Sequence, residues 1–320
     1  MQIPNKVRIS DAPSSPSRKG ERPHQRMISG KNYAGNFERA ANEYSYFSRS
    51  DQGSDETVTD YADDWASNTI VGLPLELADQ WTPFLDRQTA LSQDDVVVEE
   101  KLFKIRLAEN SHCKNAASTL IRKMYAWRGY ETEGMQSSQP NRVTLVASAD
   151  DVTVATITIG FDSPNGLLVD ELYDGETDSL RKSGRRLCEF TKLAIDHSIR
   201  SKRVLASLFH IAYQYAREIY NYTDLLIEVN PRHVRFYEKM LGFKQFGPRR
   251  LNPRVNATAV LLRLEFDHAQ EQIAIHGGQA DFSKTKKSLY PYFFSPEEEA
   301  NICNRLVQLS NQCSFARSLS

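Results

Sequence analysis

Glu189 stands in the run Arg185–Ile195, where Leu187, Glu189, Thr191, Leu193 and Ile195 alternate with Arg186, Cys188, Phe190, Lys192 and Ala194. A period of two is the signature of a strand, so a single carboxylate lies in an otherwise largely apolar row. Apolar surroundings disfavour the charged form of a carboxylate, which suits a group that takes a proton from a reacting amine. The competing expectation is structural: Glu189 pairs with Arg185 or another internal base and fixes the strand. Thr191, on the same face, would orient a water or a substrate group, although β-branched residues also fill strands for packing alone. Cys188 faces the other way and reads as core.

Basic side chains offer further functions. Arg185, Arg186, Arg249, Arg250 and Arg254 are available to grip a carboxylate in a bidentate manner. Arg200, Lys202 and Arg203 cluster at the start of a predicted helix, where dipole and side-chain charge together favour an anion. Such clusters are also ordinary solvated surface. Asp170, Glu171 and Asp174 lack the regular oxygen spacing of a calcium loop, and His210, His233, His268 and His276 lack paired-ligand spacing, so no metal is expected. Cys113, Cys188, Cys303 and Cys313 lie far apart and read as reduced thiols.

These residues need a scaffold. The 320-residue chain is 40% hydrophobic, enough for a core, and its formal charge of −1 gives no global field for nucleic acid. No secretory leader or bilayer-length apolar run is evident, which predicts a cytoplasmic protein without a transmembrane segment. Residues 1–62, rich in Ser, Pro, Asn, Arg and Asp, read as a disordered arm, and 63–98 as a short helical or docking segment. Residues 99–266 read as the main domain: a strand at Phe103–Leu107, a helix through Ala117–Trp127, and a hairpin of Val143–Ala149 and Val152–Gly160. An extended piece at Gly166–Tyr173 comes next, then the Glu189 strand, a helix from Val204 to Ile219 and the strand Leu225–Val229. A helix over Arg232–Leu241 and a strand over Ala259–Phe266 complete the domain. Residues 267–320 read as a polar stretch followed by a helix that starts at Ser295. The order predicts an α/β fold with a mixed sheet flanked by helices.

Asn230 after a strand, Tyr237 seven residues later and the closing pair Gly242-Phe243 resemble the GNAT acyltransferase pattern. With Val169–Asp196 and Gly247–Phe266, the middle of the chain resembles the long-chain N-acyl amino acid synthases of the FeeM type, bacterial GNAT relatives that are also akin to acyl-homoserine lactone synthases. In the latter the matching strand reads W-E-x-S-R, so Glu189 and Thr191 fall on its Glu and Ser, and Lys192 replaces its Arg. The Q/R-x-x-G-x-G/A loop with which GNAT enzymes cradle the CoA pyrophosphate has no counterpart here. The segment Asp196–Leu208 contains no glycine, and close approach of backbone N–H groups to phosphate calls for glycine.

The resemblance implies transfer of a fatty acyl group from acyl carrier protein to the amine of a small amino-acid acceptor. No cofactor would be tightly bound; the acyl-phosphopantetheine thioester would be a co-substrate. Glu189 would assist amine deprotonation, Thr191 would orient, and Tyr237 would return a proton to the departing thiolate. Asn230, Arg185, Arg186, Arg249 and Arg250 would bind substrate, and Arg200, Lys202 and Arg203 the carrier protein. The alternatives are a CoA-dependent acetyltransferase, a non-catalytic GNAT-like interaction module and, ranked lower, a lactone synthase.

Overall fold

The computed structural model describes residues 68–74, 102–131, 141–197, 199, 201–280 and 287–318. The expected arm and most of the 63–98 segment lie outside these residues. The alternating segments form one eight-stranded sheet: β1 (Thr69–Pro74), β2 (Leu102–Leu107), β3 (Arg142–Ala149), β4 (Val152–Phe161), β5 (Leu187–Ile195), β6 (Asp224–Val229), β7 (Lys244–Asn252) and β8 (Ala257–Glu265). Their spatial order is β1-β2-β3-β4-β5-β6-β8-β7. All neighbours run antiparallel except β5 and β6. Asp150 and Asp151 turn β3 into β4 with both φ angles positive, 48° and 61°, the geometry of a two-residue hairpin.

Side-chain alternation gives the sheet two apolar faces. One carries α1 (Ser111–Trp127), whose Leu120, Ile121 and Met124 pack on Ala194, and α2 (Asp170–Lys182), whose Tyr173 and Leu180 pack with Leu187, Leu226 and Leu261. The other holds the main core, where Ile157, Phe190, Leu225 and Leu262 meet α3 (Lys202–Gln214), which continues as a π-helical turn over Tyr215–Ile219. α4 (Pro231–Leu241), α5 (Phe266–His276) and α6 (Pro296–Ser318) extend the helical layer around that core.

Three expectations need correction, and one strand had no expectation. Thr69–Pro74 is the edge strand β1, since its backbone pairs with β2, and not a helical turn. Gly166–Tyr173 is a turn leading into α2: Asp170 Oδ2 accepts from Leu167 N–H at 2.7 Å, and Asp170 and Glu171 suit the helix start as Arg181 and Lys182 suit its end. The stretch after Phe266 is helix α5 at once. The sequence Lys244–Asn252 also forms an edge strand, with Gly247 and Pro248 in the irregular part of its register with β8, where a proline's missing donor costs no ladder bond. The sheet therefore starts before residue 99. The segment beyond 267 shares its core through Tyr290, Phe293 and Phe294. Ser295 does begin α6, in a reciprocal cap: its N–H donates to Glu298 at 2.8 Å and its Oγ accepts from Glu298 N–H at 3.4 Å.

Candidate active site

The site follows from a mismatch between two parallel strands. β5 and β6 pair only at Leu187↔Asp224, Cys188↔Leu225 and Glu189↔Leu226, although both continue past that point. Beyond Glu189 they diverge and leave a wedge in the middle of the sheet. On its other side β5 carries a bulge, where the register with β4 jumps between Thr158↔Thr191 and Thr156↔Ala194. Lys192 sits in this bulge with φ 52°, and Thr156 Oγ1 donates to its carbonyl at 2.9 Å. A bulge re-aims neighbouring backbone and side chains. Burial and the nearby Arg142 charge lower the Lys192 pKa.

Glu189 is fully buried at the root of the wedge, on the α2 side. Its Oε1 accepts from Arg142 Nη2 at 2.6 Å and Leu168 N–H at 2.9 Å, and Oε2 from Val169 N–H at 3.0 Å. The carboxylate therefore ties β5 to β3 and to the turn before α2. Its internal partner is Arg142, not Arg185. Gly160 makes this possible, since a Cβ there would stand 2.7 Å from Arg142 Nη1 and 2.9 Å from Glu189 Oε1. Beside the pair, Thr144 and Thr158 hydroxyls meet at 2.8 Å.

Two residues further along each strand, the lips of the wedge carry Thr191 and Glu228. Thr191 Oγ1 and Glu228 Oε1 are buried with no hydrogen-bond partner in the structure. The other Glu228 oxygen accepts from Arg254 and, at 3.2 Å, from Asn252 Nδ2. Burial raises the Glu228 pKa to about 7; Arg254 opposes the shift, and Glu189 and Glu171 add to it. Arg254 is held in turn by Glu171 and by the Leu168 carbonyl, both at 2.7 Å.

On the α3 side of the sheet the wall is aromatic. Phe190, Phe209, Tyr213, Leu225, Tyr290 and Phe293 help line an apolar cavity of about 20 Å³, room for roughly one water. Tyr237 packs edge-on against Phe209, with ring centroids 6.3 Å apart, and burial raises its pKa. Asn230, at the end of β6, caps α4 by accepting from Arg232 N–H at 3.2 Å.

The remaining expected site residues scatter. Arg185 is paired with the buried Asp224 at the closed end of the β5–β6 ladder, where Arg263 joins from β8, and Arg186 lies over the Tyr222 ring. Arg249 is exposed on β7. Arg250 grips Glu176 at 2.9 Å and covers Tyr173. Of the basic trio, Arg200 lies outside the described residues. Lys202 sits 5.4 Å over the Tyr292 ring, and Arg203 Nε is buried without a partner. Ser201 caps α3 by accepting from Val204 N–H at 3.3 Å. Burial holds the Cys188 thiol well above its usual pKa, which leaves it a poor nucleophile. Among the described residues no His, Cys, Asp and Glu group is arranged to hold a metal, and no helix is long and apolar enough to cross a membrane.

Sequence reasoning missed Arg142 and Glu228. Glu228 carried the signal that found Glu189, a lone carboxylate in an apolar strand; Arg142, at a strand start, carried none.

Residues 116–265 match the family model described as FeeM, N-acyl amino acid synthase. The structure of FeeM, an N-acyl amino acid synthase from uncultured soil microbes, superposes with a TM-score of 0.50 at 29% identity, covering 53% of this chain and 94% of FeeM. More distant likenesses include an N-acetyltransferase from Staphylococcus aureus Mu50 (12% identity, 52% and 98% of the two chains, TM-score 0.38) and the AHL synthase LasI (11%, 51% and 90%, 0.36). No curated protein sequence matches the chain. The split sheet and the matched segment agree: over residues 116–265 the chain has a GNAT-like acyltransferase fold and matches the model of the FeeM N-acyl amino acid synthases.

Proposed function

We propose that this protein transfers a long-chain fatty acyl group from acyl carrier protein to the amine of an amino acid, giving an N-acyl amino acid. The observation that carries this reading is the divergence of β5 and β6 inside the family-matched segment, which opens the sheet where a thioester carbonyl and an amine can meet from opposite faces. In this reading the acyl chain enters on the α3 side and widens the aromatic cavity by turning its rings, and the acceptor enters on the α2 side. The acyl-phosphopantetheine thioester is a co-substrate, and nothing is tightly bound.

The glycine-free turn before α3 supports a carrier-protein donor, because a single phosphate needs less of a backbone cradle than a pyrophosphate. Lys202 and Arg203 in the first turn of α3 would meet the carrier. Glu189 orders Arg142 and the Leu168–Val169 turn beside the acceptor; Tyr237, on the cavity side, protonates the leaving thiolate. Backbone N–H groups along the bulged β5 edge steady the negative oxygen of the tetrahedral intermediate.

The test supplies purified protein with hexadecanoyl-acyl carrier protein, hexadecanoyl-CoA or acetyl-CoA and each of the twenty amino acids, and reads products by mass. Amide from the carrier thioester is expected, with Arg203→Glu raising the carrier KM several-fold. Turnover of acetyl-CoA alone would replace this reading with the acetyltransferase one.

A further inference from the structure

Past the last β5–β6 pair, the two strands present one polar side chain each toward α2 at equivalent steps. Thr191 and Glu228 each stand two residues beyond Glu189↔Leu226, on the same face as those residues. Both end in a buried oxygen with no partner, and the Glu228 side chain is only 10% exposed. By contrast, both oxygens of Glu189 are already occupied by N–H donors. A carboxylate oxygen can only accept, so whatever completes Glu228 must bring a hydrogen-bond donor; a hydroxyl can serve an amine in either sense. A buried polar atom left without its partner costs on the order of 1–3 kcal/mol, which a ligand that supplies the partner recovers.

We propose that Glu228, and not Glu189, receives the ammonium group of the acceptor opposite Thr191 and takes its first proton. The inference rests on the function proposed above and assigns the proton acceptor within that site. The ammonium gives one proton to the Glu228 carboxylate. The freed nitrogen lone pair bonds to the thioester carbonyl carbon, the C–S bond breaks, and the second nitrogen proton leaves with the thiolate as thiol. One amide N–H remains, so three ammonium protons end on carboxyl, sulfur and amide. The groups around Glu228 set its readiness for this: Arg254, beyond the end of β7, favours the carboxylate, whereas Glu189 on β5, Glu171 on α2 and burial favour the acid, and the Tyr173 phenol of α2 senses its charge. A proton acceptor poised near neutral pH is the balance general-base chemistry calls for.

The experiment measures amide formation from hexadecanoyl-acyl carrier protein and the twenty amino acids between about pH 5.5 and 9.5, for the parent, Glu228→Gln and Thr191→Val. The parent rate should rise with a midpoint near 7. Glu228→Gln should lower kcat/KM for the acceptor by about 100-fold or more below pH 8, with the donor KM unchanged. The gap should close at the alkaline end, where solution supplies free amine. Thr191→Val should keep its melting temperature and raise the acceptor KM several-fold. Equal parent and Glu228→Gln rates at every pH overturn the proposal and leave the acyltransferase function standing. If Glu228→Gln fails to fold, Glu228→Asp takes its place, with a loss of at least ten-fold expected and a parental rate overturning the proposal. If the parent forms no amide, the proposed function fails, and calorimetry of the same amino acids and their N-acetyl derivatives with the donor-free protein decides the role of Glu228. Binding that needs the free ammonium and is lost in the Glu228 variant supports it; no such binding, or binding indifferent to the variant, overturns it.

Discussion

At the scale of single residues, the site depends on a side chain that is not there. Gly160 lies opposite Glu189 across the β4–β5 ladder and opposite Arg142 across β3–β4, so all three share one face of the sheet. A buried ion pair repays its desolvation only with close geometry and further hydrogen bonds, and Glu189 has both through Arg142 and the two backbone N–H groups of the α2 turn. Gly160→Ala would place a methyl against both charged groups. It should destabilise the fold by about 1–3 kcal/mol, as other overpacked interiors do. Amide formation should drop roughly 10–100-fold through misplacement of the turn. A thermal melt and an initial-rate assay check this, and an unchanged melting temperature would show that the pair has room to spare.

At the scale of elements, the junction of β6 and α4 lies at the open end of the wedge. Asn230 leaves β6 in extended geometry, φ −61° and ψ 140°, and its side chain caps α4, while Pro231 opens the helix at a position that needs no N–H donor. Gly242 ends α4 with φ 79°, a left-handed stop. As a cap, Asn230 should be replaceable by Ser or Asp, whereas Asn230→Ala should cost about 1 kcal/mol in chemical denaturation. As a substrate ligand, Asn230 should instead lose acceptor affinity in Asn230→Ser at unchanged stability. The two outcomes separate the cap from the substrate-binding role expected for this position.

At the scale of the whole molecule, the segment beyond residue 265, outside the family-matched region, is built into the core. His210 of α3 is its clasp. Nδ1 accepts from Phe294 N–H at 2.9 Å, which leaves the ring proton on Nε2, 2.6 Å from Glu299 of α6. Burial lowers the His210 pKa, with Glu299 opposing, so the folded ring resists the proton that an unfolded chain takes up near pH 6.5. Stability from this group is thus complete above about pH 6.5 and declines as pH falls below it, by up to about 1.4 kcal/mol per unit. Melting temperatures recorded from pH 7.5 to 5 should fall more steeply for the parent than for His210→Asn. Parallel curves would mean that the ring titrates in the folded state.

The amino-acid sequence by itself determined the alternating strands, the Asp150-Asp151 hairpin, the Asn230 to Phe243 unit and the resemblance to FeeM-type synthases, because each is written in local spacing and residue type. It misread or left unassigned the segments whose structure is decided by distant partners: β1 and β7 are strands because β2 and β8 offer them backbone groups, and the turn into α2 is held in part by Glu189. The site divides in the same way. Glu189 was legible as a carboxylate in an apolar row, but its pairing with Arg142, 47 positions away in sequence, was not. Only the tertiary structure could set Thr191 opposite Glu228. Their relation exists solely in the divergence of two parallel strands, and the point where two strands cease to pair is fixed by the packing of everything around them.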